Sequence, residues 1–225
     1  MPLSPNFGER RNGLRPHSVV IHYTAMQSCA AACARLCDPA HEVSAHYLLD
    51  YDGTVHALVP EAARAWHAGA GEWRGGDDIN SRSIGIELAN DGVEPFPEPQ
   101  MAALETLLVG IMARWDIPPE AVIGHSDMAP GRKSDPGARF DWARLARAGL
   151  AVWPVAQRGD TVPDAAVFAS HLQAFGFPAA PDPLLLTAFR LRFRPWAKGP
   201  LDATDMALAR DLATRFAIDR GAQDA

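Results

Sequence analysis

Hydrophobic positions along the chain follow two periods. Residues 17–21 form a short β-branched apolar run and predict a buried strand. Residues 45–50 and 54–58 flank Tyr51-Asp52-Gly53 and predict a hairpin. In residues 83–89, Ile84, Ile86 and Leu88 share one face, and Gly85 and Glu87 share the other. The helical period is clearest in residues 97–115, where Met101, Leu104, Leu108, Ile111, Met112 and Trp115 recur every three to four positions, up to Pro118-Pro119. An Ala-rich segment, residues 27–37, predicts a further helix stopped by Asp38-Pro39. Residues 121–124 read as a strand feeding the loop HSDMAPGRKSDPG. Residues 66–82, rich in Gly, Asp and Trp, read as a long surface loop of the kind that carries function. Strands alternating with helices predict an α/β fold, a mixed central β-sheet flanked by helices.

Between residues 151 and 163 the pattern becomes linker-like, with Gly159 and Pro163. Three short helices are predicted beyond it. The first, residues 164–175, is closed by Gly176. The second, 184–193, follows an Asp182-Pro183 cap, and the third, 202–216, has Asp205 in its first turn. The expected division is a larger domain, 1–155, and a small three-helix C-terminal domain, 161–225. About 60 residues is small for an independent core, so the second domain should lean on the first.

Composition narrows the partners. With 48% hydrophobic and 21% charged residues, the chain is an ordinary globular protein. A net charge of −6 provides no electrostatic footprint for nucleic acid or an anionic membrane. No apolar run reaches the roughly 18 residues of a membrane span. The N-terminal stretch MPLSPNFGERRNG carries charges and turn residues where an export signal would be apolar, so a cytoplasmic location and a monomer are expected. Cys29, Cys33 and Cys37, spaced by four, read as a row of small buried residues that lets a helix approach a sheet.

Three separate segments supply metal-type ligands: His22 at the end of the first strand, and His125 and Asp135 around a Pro/Gly loop. Zinc favours such imidazole and carboxylate donors, and a catalytic site uses three and leaves one position open. Pro130, Gly131 and Pro136 could fold the loop so that His125 and Asp135 reach one ion. Glu87, between Ile86 and Leu88, must face a solvated cavity or a partner.

The blocks V-V-I-H22-Y-T, V-S-A-H46-Y-L-L-D, A-W-H67-A-G, I-N80-x-x-S-I-G-I-E87-L and G-H125-S-D-x-A-P-G-R-K133-x-D135-P-G resemble the type-2 N-acetylmuramoyl-L-alanine amidases over residues 15–150. That family shares its fold with phage lysozyme-amidases and peptidoglycan recognition proteins. The resemblance implies one zinc ion on His22, His125 and Asp135, with Glu87 as catalytic glutamate and Lys133 as catalytic lysine. His67 is then expected to line the substrate groove, Arg132 to meet a muropeptide carboxylate, and His46 to serve a structural role. The implied reaction cuts the amide between the lactyl group of N-acetylmuramic acid and L-alanine, on muropeptides during cell-wall recycling. The alternatives are a non-catalytic recognition module and an exported enzyme acting on intact sacculi. The segments L-Q-A-F-G-F and T-A-F-R-L-R-F-R-P resemble a three-helix peptidoglycan-binding domain, against which stands a purely stabilising appendage.

Overall fold

The apolar runs assemble into a sheet in the computed structural model, which describes residues 3–156 and 162–218. In chain order the elements are β1 (Phe7–Gly8), β2 (Ser18–Tyr23), α1 (Cys29–Leu36), β3 (Tyr47–Leu49), β4 (Val55–Ala57), β5 (Arg64–Ala65), α2 (Ile79–Arg82), β6 (Ser83–Leu88), α3 (Glu98–Trp115), β7 (Val122–Gly124), α4 (His125–Met128), α5 (Trp142–Arg147), α6 (Ala165–Phe175), α7 (Asp182–Phe193) and α8 (Ala203–Arg215). The main sheet has the order β4-β3-β6-β2-β7. Strands β3, β6, β2 and β7 run parallel through three pairings, and β4 is antiparallel at one edge. The mixed sheet with flanking helices is the one the sequence predicts.

Strand alternation gives the two faces different tasks. Val19 and Ile21 of β2, with Ile84, Ile86 and Leu88 of β6, pack on Met101, Leu104, Leu108 and Ile111 of α3. On the opposite face Val20 and Ile123 pack towards Phe168, Leu172 and Phe175 of α6 and Phe189 and Phe193 of α7. Beside them α1 covers Leu48 with Cys29, Ala32, Cys33 and Leu36. Cys29 and Cys33 are buried, as a close-packed row requires, whereas Cys37, at the end of the row, is only half-buried.

Three local details differ from the sequence reading. Residues 125–128 are a helical turn rather than loop, because Asp127 Oδ2 accepts from Gly124 N at 2.8 Å and closes the turn. The long segment 66–82 ends in α2. Helix α7 starts at Asp182, with Pro181 before it, so Asp182 sits in the first turn instead of capping it.

The C-terminal helices lean on the first domain so fully that the two share one core. Trp73 sets its indole edge-on to Phe175 and Phe177, each 5.5 Å away. The break expected between 155 and 161 lies largely in residues 157–161, outside the described residues. Polar matching accompanies the apolar contact. Arg192 of α7 is buried, donates to Asp127 Oδ2 at 2.6 Å and to Val122 O at 3.0 Å, and stacks 4.3 Å from the Trp142 ring centroid. Burial raises the Asp127 carboxyl and Arg192 opposes that rise, so the carboxylate depends on its cation.

Removing one member of a buried pair leaves the other charge uncompensated. Arg192→Met is therefore expected to cost about 3–5 kcal/mol in denaturant unfolding. The Asp127→Asn/Arg192→Met double variant should cost less than the two single losses added. Additive losses, or a loss below about 1 kcal/mol, would show that the pair does not hold the helices to the sheet.

Candidate active site

The parallel strands β6, β2 and β7 end on the same edge, and the site is built there, where parallel sheets characteristically bind ligands. His22 of β2 is the register partner of Glu87 of β6. Ile21 is the partner of Gly124, so His125, next in the chain, emerges beside His22. Asp135 arrives from ten residues later because the loop closes on itself. Ser126 N donates to Asp135 O at 2.9 Å, and Arg132 N and Lys133 N both donate to Ala129 O at 3.1 Å. Gly124 must be small, since a Cβ there would sit 2.9 Å from Pro136 Cδ.

The result is a tight triangle of donor atoms. His22 Nδ1 and His125 Nδ1 are 2.9 Å apart, and they stand 2.9 and 3.0 Å from Asp135 Oδ2. All three residues are buried. Burial, then the neighbouring His125, pushes the His22 imidazole down to about 4, so the ring is neutral. Burial works against charge on Asp135, yet the facing His125 and His22 hold its carboxyl well below the usual range.

Hydrogen bonds behind the triangle decide which nitrogen of each ring is bare. Ser83 Oγ donates to Ile79 O at 2.6 Å and so accepts from His67 Nε2 at 3.2 Å. Burial, then the neighbouring His22, drives His67 well below its ordinary value, leaving a neutral ring with a single N–H. Its Nδ1 must then accept from His22 Nε2 at 3.0 Å, which leaves His22 Nδ1 as a bare lone pair. His125 Nε2 donates to Ala68 O at 2.8 Å and turns Nδ1 inward likewise. Two imidazole nitrogens and a carboxylate oxygen, facing one another, fit a single cation with three protein ligands.

The remaining predicted residues surround this triangle in a cleft of about 420 Å³. Glu87 is half-buried. Its Oε2 is out of solvent and has no hydrogen-bond partner. Burial and then the charge of Asp135 push its carboxyl up to about 8, with Lys133 pulling the other way. Lys133 is exposed on the cleft wall. Arg132, also exposed, donates to Ala68 O at 2.7 Å and to Ala70 O, tying the segment after β5 to the loop that carries the ligands. His67 lines the cleft and at the same time braces His22. His46 touches no member of the triangle; it accepts from Gly85 N at 2.9 Å and donates to Ala63 O at 3.1 Å.

Sequence reasoning missed the supports. Asn80 Oδ1 accepts from His67 N at 3.0 Å and Ala68 N at 2.8 Å, so one side chain places both the brace of His22 and the carbonyl that orients His125. Asn80 and Ser83 lie in one of the quoted blocks, but only the folded chain shows what they hold.

A mixed sheet whose parallel edge carries a His-His-Asp triangle, an unpartnered carboxylate and a lysine in one cleft defines a metal-type hydrolase. The family profile described as N-acetylmuramoyl-L-alanine amidase matches residues 12–138, and the chain belongs to that family of peptidoglycan amidases. It is 38% identical to the N-acetylmuramoyl-L-alanine amidase AmiD of Escherichia coli (strain K12), over 89% of this chain and 83% of that protein. The structure of AmiD from E. coli in complex with the substrate anhydro-N-acetylmuramic acid-L-Ala-D-gamma-Glu-L-Lys is similar with a TM-score of 0.82 and 35% identity, covering 92% of this chain and 93% of that one. AmpDh3 from Pseudomonas aeruginosa in complex with anhydromuramic pentapeptide is similar with a TM-score of 0.82 and 32% identity, covering 96% of each chain. Both relatives extend across the C-terminal helices as well as the sheet.

The relay behind His22 is testable. His67→Ala is expected to weaken metal binding about 10–100-fold, read by competition with a chromogenic chelator. Gly85→Ala should act the same way, because its Cβ would lie 2.3 Å from the His67 ring. Unchanged metal affinity in both variants would remove His67 from the support of the site.

Proposed function

We propose that this amidase is a zinc enzyme, holding one ion on His22 Nδ1, His125 Nδ1 and Asp135 Oδ2, and that its substrates are muropeptides carrying an anhydro-muramyl end. The convergence of three ligand-type atoms within 3.0 Å, beside a carboxylate oxygen without a partner, carries the metal assignment. The substrate class rests on the ligands named for the AmiD and AmpDh3 complexes and on likeness over nearly the whole chain. When bound, zinc polarises the scissile carbonyl and brings the pKa of water at the open position from about 15.7 to about 7.

The chain's own residues perform the proton transfers and the positioning. Glu87, across one strand pairing from His22, accepts the proton of the attacking water and returns one to the departing alanine nitrogen. A carboxyl pushed above its ordinary range by burial holds that proton near neutral pH, which suits the second transfer. An amine leaves poorly unless protonated, so this delivery matters as much as the first step. Lys133 places an ammonium at the cleft wall, where it can offset negative charge developing on the carbonyl oxygen. Arg132 spends its guanidinium on the carbonyls of Ala68 and Ala70, so its main contribution is to keep the ligand loop in place.

Glu87→Gln is nearly isosteric and cannot shuttle a proton. It should retain zinc on His22, His125 and Asp135 and lose about 10²–10⁴-fold in turnover on a purified anhydro-muropeptide. Near wild-type rates with full zinc would reject the proton-transfer role. Lys133→Met should lower kcat more than it raises KM. Comparison of anhydro-muropeptides with intact sacculi tests the substrate class, and faster release from sacculi would overturn it. That the fragments are met in the cytoplasm is part of the proposal. Activity is expected in the soluble cytosolic fraction, and recovery with membranes or from the periplasm would reject it.

A further inference from the structure

We propose that Cys29, Asp50 and His56 form a second zinc-binding site, separate from the triangle of His22, His125 and Asp135, that clips α1 to the β3–β4 hairpin. The site follows from register. Leu48 and His56 are partners across the hairpin, and Leu48 is buried beneath α1 together with Cys29 and Cys33. Alternation puts Asp50, two residues beyond Leu48, on that same face. Asp50 N donates to Thr54 O at 2.9 Å, so the ladder still holds at this position. Asp50 and His56 are thus diagonal neighbours under the start of α1, within reach of each other's side chains. Ser28 caps α1 by accepting from Ala31 N at 3.2 Å, which makes Cys29 the first helical residue and turns its thiol onto the hairpin.

The thiol sulfur, a carboxylate oxygen and an imidazole nitrogen lie within 4.8 Å of one another. Zinc bonds of about 2.0–2.3 Å set tetrahedral ligands roughly 3.5 Å apart, so side-chain rotation of about 1 Å would close the site. Cys29 is buried, whereas Asp50 and His56 are half-buried and have room to make that adjustment. The Asp50 carboxylate is already oriented by Tyr51 N, which donates to Oδ1 at 2.7 Å. A mixed thiolate, imidazole and carboxylate set suits a borderline-soft divalent ion and would not suit magnesium or calcium. None of the three residues lines the catalytic cleft. A thiol binds zinc as the thiolate, so ion binding at Cys29 releases a proton.

A thiolate ligand is the distinguishing mark, because the catalytic triangle contains none. The full-length protein, loaded with zinc and desalted, should hold two zinc ions per chain. Cys29→Ser and His56→Gln should each hold one. Loaded with cobalt(II) instead, the wild type should show a near-ultraviolet thiolate-to-cobalt charge-transfer band. The band should persist in Cys33→Ala/Cys37→Ala and in Asp135→Ala, and disappear in Cys29→Ser and His56→Gln. Persistence in Asp135→Ala separates this site from the catalytic one, so failure of either assignment leaves the other testable. One zinc per chain with no band in the wild type would overturn the proposal, as would a band that survives Cys29→Ser. Should Cys29→Ser fail to fold, loss or retention of the band in His56→Gln decides.

Discussion

His22 Nδ1, His125 Nδ1 and Asp135 Oδ2 are held 2.9–3.0 Å apart in a buried setting, and the rest of the fold can be understood from what that proximity demands. Hydrogen bonds behind these atoms orient the two rings. They run from Ile79 O through Ser83 and His67 to His22, and from the Ala68 carbonyl to His125. Gly85 exists in this arrangement as room for the His67 ring, and Asn80 as the peg for the chain that carries it. A metal site supported by such a shell is oriented before any ion arrives, which limits the reorganisation that binding requires.

The same constraint explains the C-terminal helices. The loop from His125 to Asp135 starts in α4, and Asp127 within that turn is gripped by Arg192 from α7. The grip is buried, and around it Trp73, Met128 and Ala129 from the sheet domain join Phe168, Phe175 and Phe193 from the helices in one core. The helices therefore press on the segment that carries two of the three donor atoms. This continuity accords with the full-length likeness to AmiD and AmpDh3, which cover the helices and the sheet together. A role in holding the loop requires no ligand on the helices themselves.

Electrostatics within the cleft divide labour between two carboxylates. Asp135 faces two imidazoles and stays ionised despite burial, while Glu87, beside Asp135 and without a partner for Oε2, is driven up to about 8. Two acids of similar intrinsic strength thus take opposite protonation habits because of what stands next to each. One is suited to bind a cation and the other to carry a proton.

The sequence by itself determined the five strands of the main sheet and the long helix α3, and it pointed to residues that the fold gathers in one cleft. Those signals are local: β-branched runs, a 3.6-residue period, and a glutamate stranded between Ile86 and Leu88. It also led to the expectation that three short helices would lean on the rest of the chain. Only the tertiary structure decided that His22 and Glu87 are strand partners, that His67 orients His22 as well as lining the cleft, and that Arg132 is engaged with backbone carbonyls. Arg192 lies in the block T-A-F-R-L-R-F-R-P, and only the fold shows that it closes an ion pair with a residue 65 positions away. Cys29 looked like part of a packing row, yet its thiol faces Asp50 and His56 across a hairpin. Periodicity reports which face of an element is apolar. Which residues meet across elements depends on register and loop closure, and these are set by hydrogen bonds between segments distant in the chain.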